Sequence, residues 1–368
     1  MRKILYITSA LGVILTSCTK TVVEEPLKEI FFQWADHSVV TKADPEDYKD
    51  RYKDIPFGTY AWYKAVNPVD NSNFMENQKV SYVEPSNRWT TTGITYYWPK
   101  TGTLDFISYS PYTEDGIDAP APVITQSGIS YPVWDVNAHQ DVDVMYSDKV
   151  TGLTGNVNTY NHGYEGVPTL FHHALAKVGF KVRALYLSAT SETGDVTRWE
   201  VTINSITLND ILTSGKLSLT LGEDGTWVKP ETNAWDPSDA LTNISIEGAE
   251  GELTEDQQIL GEPFIVLPQV LNKQSVTINA TIKTYHTSTG SSEERLLYTE
   301  PNLNVTGLLK SPALDTWGIN QCVYYDLVFS PSLTNGGIDP FIDGPISITF
   351  DPAVADWDNV TVTQIIQL

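Results

Sequence analysis

The chain has 368 residues, 41% hydrophobic and 11% aromatic, which is enough for real cores and excludes wholesale disorder. Its formal net charge is -23, and a surface of that sign repels nucleic acid and anionic lipid headgroups, so neither is expected as a partner. Only Cys18 and Cys322 are present, which leaves no framework of disulfides to staple a small fold.

Arg2 and Lys3 form a short basic region ahead of the apolar run Ile4 to Leu15. That run is shorter than the roughly 20 residues a membrane-spanning helix needs, but it suits an export signal. Leu15-Thr16-Ser17-Cys18 follows and resembles the lipobox of bacterial lipoproteins, in contrast to a cysteine that ends an uncleaved anchor. Residues 1–17 are thus expected to be a lipoprotein signal peptide. Cys18 would be lipidated and become the first residue of the mature protein. Residues 18–28, with Glu24, Glu25 and Pro26, read as an extended tether.

Glu29-Ile30-Phe31-Phe32-Gln33-Trp34 is the first predicted strand. The charge-dense stretch Asp44 to Asp54 reads as an exposed loop, and Phe57 to Val66 resumes a β-like aromatic run. Tyr96-Tyr97-Trp98-Pro99 leads into a strand from Leu104 to Pro111 that turn residues close at each end. From Phe171 to Leu185, Ala174, Ala176, Val178, Phe180 and Val182 share one parity, while Lys177, Lys181 and Arg183 share the other. That period of two predicts a strand with one buried and one wet face. Val201 to Leu208 and the alternating Leu217, Leu219 and Leu221 predict two more strands, closed by a Gly222-Glu223-Asp224-Gly225 turn. Trp227 to Glu252, rich in Pro, Asn and Asp, reads as a long loop or interdomain crossing. Phe264 to Gln269, Val276 to Lys283, Val323 to Phe329, Ile346 to Phe350 and Val360 to Leu368 complete the strands. No helix is predicted. Short strands between turn residues give an all-β fold, read as two tandem β-sandwich domains over residues 29–222 and 223–368.

Chemistry is hard to find in this pattern. His162, His172 and His173 lie close in sequence, yet His172 and His173 are adjacent on a strand and point to opposite faces, which suits no zinc ion. Asp44 to Asp50 and Asp141-Val142-Asp143 lack the ligand pattern of a calcium loop. Nucleophile-elbow, metalloprotease, phosphate-loop and dinucleotide motifs are missing, so no catalytic residue, metal or cofactor is predicted. Cys322, within Gln321-Cys322-Val323-Tyr324-Tyr325, reads as a buried and inert thiol. Trp62, Trp89, Trp98, Trp134, Trp199, Trp227, Trp235, Trp317 and Trp357 fall mostly among strand residues and read as core plugs. Exposed, they would instead form an aromatic platform, and the alternative function is a surface glycan-binding lipoprotein.

A set of motifs in fixed order points further. The lipobox and Thr41-Lys42-Ala43 come first, then Tyr97-Trp98-Pro99, Leu104-Asp105-Phe106 and Tyr109-Ser110-Pro111. Phe171-His172-His173-Ala174-Leu175-Ala176-Lys177-Val178, Leu267-Pro268-Gln269, Tyr324-Tyr325-Asp326-Leu327 and the closing Ile348-Thr349-Phe350 with Val354-Ala355-Asp356-Trp357 follow. Together they resemble the fimbrillin family of Bacteroides-type bacteria, including its Mfa-like members. The resemblance implies two transthyretin-like sandwiches, transport to the outer membrane as a lipoprotein, and assembly with other fimbrial subunits into an adhesive pilus. It also implies that a trypsin-like cut removes the first strand with its lipid, leaving a groove for a neighbour's strand. Lys42 matches the family's cleavage position, and Arg51 is the nearest downstream arginine. An uncut copy would remain anchored through Cys18. Val360, Val362, Ile366 and Leu368 alternate with polar residues and read either as the donor strand or as the last strand of the second domain.

Overall fold

A computed structural model describes residues 28–36, 52–66, 72–114, 120–139, 142–156, 158–221, 235–238, 241–246, 249–312, 314–330 and 347–356. Its regular elements are strands, apart from a single 3-10 turn at Glu84–Ser86. The first ten strands are β1 (Phe31–Asp36), β2 (Phe57–Lys64), β3 (Ser72–Val83), β4 (Arg88–Thr91), β5 (Thr103–Ser110), β6 (Val123–Thr125), β7 (Gly128–Asp135), β8 (Met145–Ser147), β9 (Val150–Leu153) and β10 (Val167–His173). β2, β3, β4, β1, β10, β8 and β5 pair in that order, and β5 pairs back onto β2. The result is a closed barrel of seven strands, with β9 attached to β5 outside the ring. Alternation fills it: Ile30, Phe57, Val80, Leu104, Phe106, Met145, Val167 and Phe171 form one buried cluster, while intervening residues face outward.

The remaining strands are β11 (Ala176–Ala184), β12 (Ser188–Thr190), β13 (Val196–Leu212), β14 (Ser214–Thr220), β15 (Trp235–Pro237), β16 (Leu241–Ile246), β17 (Gly251–Glu252), β18 (Gln258–Val266), β19 (Gln269–Val270), β20 (Ser275–Thr287), β21 (Arg295–Leu308), β22 (Thr316–Trp317), β23 (Gln321–Ser330) and β24 (Ser347–Asp356). The sheet β18-β11-β23-β24 faces the sheet built on β12-β13-β20-β21 across one core, in which Val178, Phe180, Val201, Ile206, Ile278 and Leu327 are buried. A smaller sheet, β15-β14-β7-β6, packs on the outer side of the barrel through Trp134, Leu217 and Trp235 against Trp62, Ile107 and Tyr109.

The all-β reading holds, and the closed barrel is what local alternation did not predict. Strands on either side of residue 222 are interleaved: β11 pairs with β18 and β23, β13 pairs with β20, and β14 pairs with β7 on one side and β15 on the other. The long alternating run from Phe171 is two strands. It breaks at Ala174 and Leu175, where the chain leaves the barrel and enters the sandwich. Its basic parity is not uniformly wet, because Lys181 is buried with its ammonium 4.7 Å from the centre of the Tyr324 ring. The expected loop from Trp227 to Glu252 contains β15, β16 and β17, short strands that draw their pairing from β13 and β14.

Candidate functional site

β1 is where sequence and architecture meet. Ile30, just ahead of β1, and Phe32 within it form an Ile-x-Phe pair in extended chain, so they share a face, and both are fully buried in the barrel core. The Phe32 ring meets Phe57 at 5.6 Å and Phe106 at 5.9 Å, both edge-to-face, the arrangement favoured by ring quadrupoles. Phe57 in turn contacts Trp89 and Phe171, so Phe32 completes an aromatic cluster drawn from four other strands.

The ring holds one parallel pairing, and it is the one that β1 makes with β10. On one side Phe32 to Asp36 run parallel to Val167 to Phe171 of β10; on the other only Phe31 and Phe32 pair, antiparallel, with Thr90 and Trp89 of β4. The other ring pairings are all antiparallel: β4 with β3, β3 with β2, β2 with β5, β5 with β8, and β8 with β10. Removing β1 would therefore leave a continuous six-stranded antiparallel sheet whose edges, β4 and β10, face one another across a slot.

Outside the barrel a set of contacts grips the start of β1. Backbone Ile30 donates to the Tyr96 carbonyl at 2.9 Å, and backbone Trp98 donates to the Lys28 carbonyl at 2.9 Å. The Lys28 ammonium lies 4.9 Å from the centre of the Tyr164 ring and donates to the Gly155 carbonyl at 3.3 Å. The Arg88 guanidinium sits 4.2 Å from the centre of the Phe31 ring, and the Gln33 amide donates to the Glu165 carbonyl. Gly166 has φ +119 and lies so close that a Cβ there would fall 2.7 Å from Gln33 Cγ, so the approach of β1 requires glycine. Lys28, Phe31, Gln33, Arg88, Tyr164 and Glu165 line an open groove of about 560 Å³ along β1.

Cys18, Lys42, Arg51 and the run Val360, Val362, Ile366 and Leu368 lie outside the described residues. So do Asp44 to Asp50, Asp141, Trp227 and Trp357. The described part begins at Lys28, and the interval between Asp36 at the end of β1 and Tyr52 contains both predicted cleavage positions. His172 and His173 do not converge. His172 Nε2 is 2.9 Å from Asp148 Oδ1 and His173 Nδ1 is 2.8 Å from Asp143 Oδ2, two separate pairs. Among the described residues no group of three potential metal ligands comes together. Cys322 is buried, and burial pushes its thiol above the ordinary value. The aromatic platform is overturned at Trp62, Trp89, Trp98, Trp134, Trp199, Trp235 and Trp317, all of which are buried because they sit on inward strand positions or plug sheet ends. The Arg88 and Gly166 contacts were not legible in the sequence, since only the non-local pairing of β1 brings them to it.

The family model described as fimbrillin-like matches residues 48–304, a span that begins after β1 and ends within β21. No curated protein matches. Among solved structures, a candidate cell adhesion protein from Bacteroides uniformis is 14% identical, with 89% of this chain and 99% of that chain covered and a TM-score of 0.46. A candidate cell adhesion protein from Bacteroides ovatus is 12% identical, covering 90% of this chain and 99% of that one, with a TM-score of 0.41. The tip fimbrial protein Mfa3 from Porphyromonas gingivalis, with C-terminal truncation, is 10% identical, covering 83% of this chain and 96% of that one, with a TM-score of 0.35.

Proposed function

The chain belongs to the fimbrillin-like family, and from that premise we propose that it is a structural subunit of a cell-surface fimbria, exported as a lipoprotein and polymerised by strand exchange. The family is one of structural adhesion proteins, and the chain is not an enzyme. In this reading residues 1–17 are removed and lipid on Cys18 holds the subunit in the outer membrane. A cut after Lys42 or Arg51 then separates β1, with its lipid, from the body. A strand from another fimbrial subunit takes its place. A copy that escapes the cut keeps its lipid and stays anchored.

The carrying observation is the position of β1: a six-residue strand that closes the ring through its one parallel pairing, with Phe32 and the preceding Ile30 in the core. While β1 is seated, the edges of β4 and β10 are covered and cannot template aggregation. Once it leaves, those edges and the vacated apolar positions attract another strand, by main-chain hydrogen bonds and alternate side chains in pockets. For the domains, in place of a division at residue 222 we propose two interleaved units, the barrel with β6, β7, β14 and β15, and the sandwich from β11 onward. The tandem transthyretin-like description would apply to that pair.

The test compares the folded mature chain before and after a site-specific protease cuts a site installed between Asp36 and Tyr52. The cut form is expected to give oligomers whose mass rises with concentration in light scattering, and the uncut form to stay monomeric. Equal behaviour of the two forms refutes strand exchange.

A further inference from the structure

We infer that the end of the barrel from which the N-terminal chain emerges is a membrane-contact surface, which seats the anchored form on lipid headgroups. This rests on the lipid-anchored part of the proposed function and adds the face that meets the bilayer. Ring pairing decides which segments share that end. β1, β3, β5 and β10 start there, and β2, β4 and β8 finish there. The end is therefore made of residues 28–30, 65–66, 92–102, 148–149 and 154–166. β10 finishes at the opposite end, where the chain passes into β11 and the sandwich.

Exposed apolar residues gather on this end. Among the described residues of the barrel and its loops, Val66, Ile94, Tyr97, Tyr160 and Tyr164 are large, hydrophobic and exposed here, against Val83 at the other end. The loops that carry four of them pack together around one buried side chain. Trp98 lies so close to Gly155 and Gly163 that an added Cβ would fall 2.5 Å and 2.4 Å from it. Backbone Gly163 also donates to the Thr154 carbonyl at 2.9 Å, which holds the second loop in place. Tyrosines and aliphatic residues on such a frame suit the headgroup layer, where a phenol ring finds apolar contact and keeps its hydroxyl wet.

Charge and reach agree. Lys28, Lys64, Lys100 and Lys149 stand at this end against Glu29, Asp105, Asp148 and Glu165, so it is near neutral in a chain of net charge -23. Anionic headgroups repel the acidic remainder, which leaves this end to approach them. Ten residues lead from Cys18 to Lys28, so even fully extended they hold the lipid within about 35 Å of this end. The lipid keeps the molecule on the bilayer, and this face sets how it stands there.

The experiment uses the full chain purified with its lipid from expressing cells and placed on vesicles of phosphatidylcholine and phosphatidylethanolamine. An added cysteine carries an environment-sensitive fluorophore, either Tyr160→Cys on this end or Leu308→Cys on the sandwich, both exposed positions. Lipid blocks Cys18, and Cys322 is buried. The label at 160 is expected to shift to the blue and to lose intensity to a lipid spin-labelled near its headgroup. The label at 308 is expected to do neither. Adding Ile94→Ser and Tyr97→Ser should weaken the quenching at 160 while the acylated protein stays on the vesicles and its Tm is unchanged. An acylated chain with equal signals at 160 and 308 overturns the membrane face and leaves lipid anchoring standing. A label at 160 that responds to added unlabelled protein without vesicles, and not to vesicles, overturns it too and assigns the end to a second copy. An N-terminus without acyl chains in mass spectrometry refutes the anchored reading itself, and the face with it.

Discussion

Replacing Phe32 with alanine in the intact chain tests how much the barrel depends on its first strand. The Phe32 side chain is 1% exposed and packs edge-to-face on Phe57 and Phe106, so no water or mobile neighbour can fill the space it vacates without the aromatic cluster shifting. Truncating a buried phenylalanine costs about 3–5 kcal/mol, the sum of lost transfer energy and the cavity left behind. The cost falls on one strand, which in the cut chain is held by no covalent bond to the body. At about 1.4 kcal/mol per factor of ten, release of the cut β1 segment should be favoured by between a hundredfold and a few thousandfold. The assay is the fraction of 28–36 segment retained after cutting and dilution, read by mass spectrometry, alongside urea unfolding of the uncut variant. Phe31→Ala is the control: its ring lies on the outer face under Arg88 and should cost far less. If Phe32→Ala and Phe31→Ala release the segment equally, the claim that β1 is held by its inward aromatic is wrong.

Gly166→Val should loosen β1 without touching it in sequence, because the positive φ adds roughly 1–3 kcal/mol of strain and the new side chain collides with Gln33; faster proteolysis between Asp36 and Tyr52 in the uncut protein would register it. On the sandwich, the Lys283 ammonium 2.5 Å from Glu200 Oε1 holds the Glu200 carboxyl below its ordinary 4.5. A depressed carboxylate contributes stability that is present above about pH 4.5 and lost as pH falls through the folded value. Glu200→Gln should therefore flatten the decline of Tm between pH 6 and 3, and an unchanged decline would count against the pair. Native Cys322 should resist a thiol reagent at pH 8 and react only with unfolding, since it is buried and its thiol is pushed up by that burial.

Strands with one buried and one polar parity announce themselves, as β13 and β20 do with Ile203, Ile206 and Leu208 facing Val276, Ile278 and Ala280. β3 and β21 escape the same reading for a physical reason. β21 is the outer strand of its sheet, with Leu296 and Tyr298 exposed among polar neighbours, and β3 mixes Asn, Gln and Lys with Met75 and Val80. Neither needs a clean alternation to pair. The break at Ala174 and Leu175 is invisible because both residues are buried and apolar, so the pattern continues across a change of sheet. Closure of the barrel is further out of reach, since it depends on β2 meeting β5 and on β1 lying beside a strand far along the chain. For the site, the strand itself and its apolar pair were legible. What grips it, Arg88, Gly166 and the loop bearing Tyr164, was not.

On the strand-exchange reading, β1 is the ring strand that a single cut frees, because it precedes every other ring strand in the chain. An antiparallel neighbour is usually joined by a short turn, so removing it means breaking the chain within a hairpin. A parallel neighbour must be reached by a long connection, and β1 has no tight link to either β4 or β10. It behaves as a ligand that happens to be attached at one end. The six strands that remain are joined by antiparallel pairs throughout, so the clamp does not need β1 for its continuity, only for its closure. Separability of this kind would be a defect in a barrel built for stability alone. In the proposed subunit, which would first travel with its edges covered and then join a partner, it is the property that would make assembly conditional on a single cut.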